Sequence, residues 1–316
     1  MTPRLSRTHV PLLATVAVFV LLYAAAALRY EGFLSARVFT NLLRDNAFLG
    51  LAAIGMTFVI LAGGIDLSVG AMVGCTSILL GKLINLGWHP LPAVMVALGL
   101  GAGAGAGMGA LIRHFALPPF LVTLAGMFLL RGLAFVISLE TVTIQHPLYS
   151  AVADFGLAVF PATAIVFLLV LAAAIFVAHY TRFGRNVYAI GGNEQSALLM
   201  GLPVGATKVR LYALSGFCSA LAGVLYTFYT SAGNASAGTM LELDAIAAVV
   251  IGGTLLSGGV GYVFGTLVGV LIFGVIQTII TFEGTLSSWW TKIVIGVLLL
   301  LFILLQRLVQ RGTAGR

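Results

Sequence analysis

Long uncharged runs limit this chain's folding more than any motif does. Val10 to Leu28 is 19 residues without a charge, a helix of about 28 Å, close to the thickness of a bilayer's hydrocarbon core. Charge-poor stretches follow at Asn46–Ile65, Leu67–Gly81, Leu91–Ile112, Ala116–Ser138, Phe155–His179, Leu211–Thr230, Ala245–Leu256, Tyr262–Phe282 and Leu286–Gln306. These patterns predict an all-α, polytopic membrane protein of about ten transmembrane helices. Composition agrees. A soluble chain of 316 residues would carry roughly 79 charged residues; this one has 16 Lys+Arg and 9 Asp+Glu, with 60% hydrophobic residues and 39 glycines. So little polar surface cannot cover a water-soluble globule, which excludes a soluble enzyme, a disordered chain and a nucleic-acid binder.

The net charge of +7 reads as orientation, because Lys and Arg gather in cytoplasmic loops. Arg4 and Arg7 place the N-terminus inside. Ten crossings return Arg307, Arg311 and Arg316 to the same side, so both termini are expected in the cytoplasm, with Arg113–His114 and the loop 181–210. Cleavage after Ala24–Ala27 is the rival reading of the first stretch, but its apolar run exceeds a signal peptide's usual length. Arg29, Arg37 and Arg44 fall outside in this count, so Tyr30–Asp45 is expected as a short interfacial helix. The outer side then holds Glu140–Asp154, Ser231–Asp244 and Glu283–Ser288. No extramembrane piece is long enough to fold alone, giving one transmembrane domain over residues 1–316 in contact with membrane lipid. Cys75 and Cys218 lie within apolar runs, so neither a disulfide nor a metal site is expected.

From Gly99 to Gly109 every second residue is glycine. At helical spacing Gly99, Gly103 and Gly107 form one row and Gly101, Gly105 and Gly109 another, and such rows let neighbouring backbones approach closely. The spacing predicts a helix packed on both sides.

Few polar residues lie at membrane depth. Asp66 interrupts Gly63-Gly64-Ile65-Asp66-Leu67-Ser68-Val69-Gly70, where flanking glycines imply a broken helix. It is either a gate or pathway element together with Ser68, or a structural carboxylate that caps the next helix through Ser68. Glu242 and Asp244 open a second glycine-broken span that runs to Gly261, and are expected at the outer interface as a solvated helix start or a solute contact. Arg131 lies deep in its span and keeps its charge, so a carboxylate or a row of carbonyls must face it; Asp66 is one candidate. Lys292 is expected to snorkel as an interface anchor beside Trp289 and Trp290.

The segment Gly191-Gly192-Asn193-Glu194-Gln195-Ser196-Ala197-Leu198-Leu199-Met200-Gly201 carries the most specific local signal. Asn193 is a good N-cap, Glu194 suits the positive helix end, Gly201 suits a left-handed C′ position and Pro203 forbids continuation. A helix over Glu194–Met200, about 10 Å long, is too short to persist alone. With Ala197, Leu198 and Leu199 exposed, it calls for a partner protein, the rival reading being a helix that rests on its own membrane domain. The chain holds only Lys82, Lys208 and Lys292, none in a Gly-Lys-Ser/Thr setting, so it has no phosphate-binding loop and no ATPase of its own.

In Gly63–Gly70, Pro119-Phe120 with Thr123-Leu124 and Arg131-Gly132, Gly184 through Gly201, and Glu242 through Gly261, the chain resembles the membrane-permease subunits of bacterial ATP-driven monosaccharide importers, the ribose, xylose, arabinose and galactofuranose group. Asp45–Gly50, Thr141–Pro147 and Gly284–Lys292 are most similar to a galactofuranose permease. The resemblance implies a non-enzymatic subunit of the inner membrane. It also implies a periplasmic sugar-binding protein, a second permease and a cytoplasmic ATPase subunit that binds the ATP. On that likeness Gly191, Gly192, Asn193, Glu194, Ser196, Ala197 and Gly201 form the coupling helix. A self-sufficient carrier driven by protons through Asp66 is the alternative, and it needs no docking helix.

Overall fold

The computed structural model describes residues 10–157, 160–287 and 289–314. Arg4, Arg7 and Arg316, which carry part of the orientation argument, lie outside them. In chain order the elements are α1 (Val10–Arg29), α2 (Ala36–Asp45), α3 (Ala47–Leu61), α4 (Val69–Asn85), α5 (Pro90–His114), α6 (Pro119–Ile137), β1 (Val142–Thr143), α7 (Pro147–Asp154), β2 (Gly156–Leu157), β3 (Phe160–Pro161), α8 (Ala162–Tyr180), α9 (Arg182–Gly192), α10 (Glu194–Leu199), α11 (Val204–Thr230), β4 (Ala232–Gly233), α12 (Leu241–Ile251), α13 (Val263–Glu283) and α14 (Trp289–Ala314).

All ten apolar stretches contain a helix, but not all are long enough to cross. Among the described residues α1, α5, α6, α8, α11, α13 and α14 are long and apolar enough, and α2 with α3, bent by 55°, makes up to eight. α4 has 17 residues and α12 only 11, about 26 and 17 Å. The ten candidate stretches thus comprise seven or eight helices that pass by length and composition, plus the shorter α4 and a half-length α12. The short helices occupy the middle. α3 is buried on all sides except at Phe48, as is proper to a helix apolar all round. Stretches Phe155–His179 and Leu211–Thr230 also shift: α8 begins only at Ala162, after the β2–β3 hairpin, and α11 begins at Val204, absorbing the end of the expected loop 181–210.

α5 and α11 meet backbone to backbone. A methyl at Gly105 would overlap the Tyr212 carbonyl, and one at Gly216 the Gly101 carbonyl. The opposite row behaves otherwise: Gly99, Gly103 and Gly107 have nothing within 4 Å. Packing on both sides is thus corrected to one side within this chain.

The connection after α11 does not stay at the helix ends. β4 pairs antiparallel with β1 (Val142↔Gly233), and the chain then descends along α4. The Asn234 N–H donates to Ser77 Oγ at 3.2 Å, and Gly238 lies against Gly70. Ser77 to Gly70 is a drop of about 10 Å along a helix. α12 consequently starts part-way along α4, which is why 11 residues suffice for it, and Ser231–Asp244 is not the simple connection at the helix ends that the sequence suggests.

Candidate functional site

α9 grows from Thr181, whose Oγ1 accepts the Gly184 N–H at 3.2 Å. At Asn193 the backbone becomes extended (φ −163°), and the Asn193 Oδ1 accepts the Ser196 N–H at 2.8 Å, capping α10 as the sequence predicts. α10 ends at Leu199, one residue earlier than expected, with Met200 as its cap. Gly201 takes φ +75°; its N–H donates to the Leu198 carbonyl, and the Leu202 N–H reaches back to Ala197 at 3.1 Å. This is the Schellman pattern, which needs a left-handed residue at Gly201. Glu194 pairs with Lys208 at 2.6 Å.

The expected exposure of α10 is corrected at one residue. Leu198, Leu199 and Met200 are 61%, 86% and 68% exposed, but Ala197 is fully buried, packed with Ile190, Val204, Leu202 and Ala62. Six residues cannot hold a helix in water, so the turn anchors one small side chain on its own protein and leaves the larger apolar ones outward.

Behind α10 three glycine-rich segments meet. Leu61, at the end of α3, accepts the Gly259 N–H at 2.9 Å. Gly191 sits against that bond: a methyl there would overlap both the Leu61 carbonyl and the Gly259 nitrogen. Tyr188, one turn earlier, donates its hydroxyl to the Gly261 carbonyl at 2.8 Å. Burial pushes its phenol up to about 12, so the donor proton stays in place at neutral pH. The helix leading into α10 is thereby wedged into the contact between the two broken spans. Gly192 faces open space. Neither Tyr188 nor the different roles of two adjacent glycines follow from local sequence.

Asp66 is fully buried. Its Oδ1 accepts the Ser68 N–H at 2.9 Å and the Ser68 hydroxyl at 2.6 Å, and its Oδ2 accepts the Ser215 hydroxyl at 2.7 Å. That is the geometry of a carboxylate ordering the start of α4, beside the positive end of the helix. Tyr212, whose buried hydroxyl lacks a partner among the described residues, lies alongside at Gly64.

Arg131 does not face Asp66. Its Nη1 donates to the Ala235 and Ala237 carbonyls at 2.6 and 2.8 Å, the row of carbonyls that the sequence left open. This satisfies the descending segment's backbone, as irregular chain at membrane depth requires. Glu242 stands close enough to Arg131 to interact electrostatically, and its buried Oε2 has no hydrogen-bond partner among the described residues. Asp244 is no free helix start: Lys292 of α14 donates to both its oxygens at 2.6 Å. The sequence-selected residues thus form separate groups: the α10 junction, the Asp66–Ser68–Ser215 cap, the Arg131–Glu242 cluster and the Asp244–Lys292 pair.

Long apolar helices around short, glycine-broken central ones define a polytopic membrane protein with irregular backbone in its interior. Residues 38–303 match the family described as the branched-chain amino acid transport system / permease component, and the chain belongs to that family. It is 52% identical over 307 residues to the inner membrane ABC transporter permease protein YjfF of Escherichia coli, covering 95% of this chain and 93% of that one. It is 45% identical over 275 residues to the ribose import permease protein RbsC of Bacillus subtilis (84% of each chain). It is 38% identical over 323 residues to the fructose import permease protein FruG of Bifidobacterium longum (97% and 93%). No solved structure matches it.

Proposed function

We propose that this chain is the permease subunit of an ATP-binding-cassette importer of the bacterial inner membrane and forms part of the path for a monosaccharide. The finer reading, galactofuranose or a similar sugar, rests on the motifs at Asp45–Gly50, Thr141–Pro147 and Gly284–Lys292. The sugar-named relatives support the class of solute. Its partners are a cytoplasmic ATPase, a periplasmic sugar-binding protein and a second permease, identical or homologous.

One observation carries the mechanism. α10 exposes Leu198 and Leu199, with Met200 at its cap, while Gly191, three residues before it, is lodged between Leu61 and Gly259. A push on α10 from an ATPase cleft reaches both broken spans without passing through a flexible loop, and rigid-body displacement of such elements opens a path alternately to each side. On this reading α10 lies in the cytoplasm, and the end of α11 at Thr230 faces outward.

Purification and reconstitution test the proposal. The permease should bring down an ATPase subunit, and liposomes should take up sugar only when ATPase, ATP and binding protein are present. Uptake at full rate by the chain alone would overturn it and favour a carrier working through Asp66.

A further inference from the structure

Opposite the α10 end, a cavity of about 450 Å³ opens between α2, α3, α11 and α13, within the size range of small-molecule sites. Its walls combine planar polar groups with an aromatic ring. Asn41 and Asp45 come from α2, Asn46 from the α2–α3 bend, Tyr229 from the end of α11, and Gln277 and Thr278 from the last turns of α13. Polar side chains near a membrane core are costly unless they face protein or water, yet α13, otherwise almost wholly apolar, directs three here, Gln277, Thr278 and Thr281. Asn46 is buried and held by its Nδ2 bond to the Leu42 carbonyl at 2.9 Å. Gly274 makes room for it, since a methyl there would lie 2.6 Å from that nitrogen. Tyr229 lines the cavity with Asp45, and the Arg44 guanidinium stands 5.6 Å from its ring centre. The Asn41 and Gln277 carboxamides and the Thr278 hydroxyl make no side-chain hydrogen bond among the described residues. A second cavity, of about 370 Å³, lies on the other side of Gln277 and reaches the Asp244–Lys292 pair.

We propose that the α2/α3/α11/α13 cavity is a binding site for a neutral polyhydroxylated ring, the point at which a monosaccharide first contacts this chain. Adjacent hydroxyls each donate and accept one hydrogen bond, and a carboxamide matches such a pair with its own donor and acceptor, which a carboxylate alone or a hydrocarbon wall cannot do. The Tyr229 ring supplies a face for the sugar's C–H surface. A glycerol-type lipid headgroup presents similar hydroxyls, so the test separates the two sources. The assignment rests on the permease reading and goes further by naming where the solute sits.

Gln277→Cys, Thr278→Cys and Asn41→Cys, made singly in the full importer in liposomes, give three independent probes for a membrane-impermeant methanethiosulfonate. Cys75 and Cys218 are buried and should remain silent. D-ribose, D-fructose and D-galactose are assayed for uptake and for protection. A transported sugar at ten times its half-protecting concentration should slow labelling roughly tenfold, equally in phosphatidylcholine and phosphatidylglycerol liposomes. Uptake without protection at any probe overturns the site and leaves the permease reading intact. Labelling that follows lipid headgroup and not sugar overturns it in favour of lipid. Absence of uptake of all three sugars by the native assembly refutes the underlying reading and the site with it.

Discussion

Gly191→Ala isolates the mechanical claim with one methyl group. At Gly191 the added carbon runs into the Leu61 carbonyl on one side and the Gly259 nitrogen on the other. Both are backbone, so no rotamer change relieves the overlap. Either α9 moves away or the Gly259–Leu61 hydrogen bond opens. Overpacking of this kind costs about 1–3 kcal/mol, which alters the population of the wedged arrangement by roughly 5- to 150-fold. Gly192→Ala is the matched control, because the neighbouring glycine has nothing within 4 Å and alanine favours a helix over glycine by about 0.5–1 kcal/mol. With ATPase and binding protein in liposomes, Gly191→Ala should retain the ATPase subunit on purification but lose most sugar uptake and sugar-stimulated ATP hydrolysis. Gly192→Ala should stay near the native rate. Equal behaviour of the two variants, or native uptake by Gly191→Ala, would refute the wedge as the transmission point.

Gly201→Val places a β-branched residue at φ +75°, where side chains are disfavoured by about 1–2 kcal/mol; uptake and sugar-stimulated ATPase should fall while membrane insertion, followed by protease accessibility, stays normal. Asp66→Ala leaves the Ser68 N–H and the Ser215 hydroxyl without their acceptor, at about 1–3 kcal/mol for a buried unsatisfied group, so the thermal unfolding midpoint in detergent should drop by several degrees. Asp66→Asn keeps one acceptor and should fall less; a native midpoint in Asp66→Asn with abolished uptake would show that the carboxylate works in the pathway beyond capping α4. Gly105→Leu should destabilise the chain strongly because Tyr212 backbone lies against it, whereas Gly103→Leu should leave the isolated chain's midpoint unchanged.

Sequence alone sufficed wherever an interaction spans a few residues. The uncharged runs made α1, α5, α6, α8, α11, α13 and α14 legible, because apolar length is itself the requirement for crossing a bilayer. Asn193 capping Ser196 and Gly201 closing the turn were legible because a helix end satisfies its orphan groups within four residues. Contacts between distant segments were not. Gly191 and Gly192 are identical in sequence, and only the approach of Leu61 and Gly259 separates them; likewise Gly103 and Gly105 differ only in whether α11 lies opposite. Arg131 advertised its need for acceptors but not that Ala235 and Ala237 would supply them from a descending segment. The half-length of α12 followed from that descent. A glycine or a buried charge states what its surroundings must provide; which residues provide it is set by packing between chain segments tens to hundreds of positions apart, and the tertiary structure alone decides that.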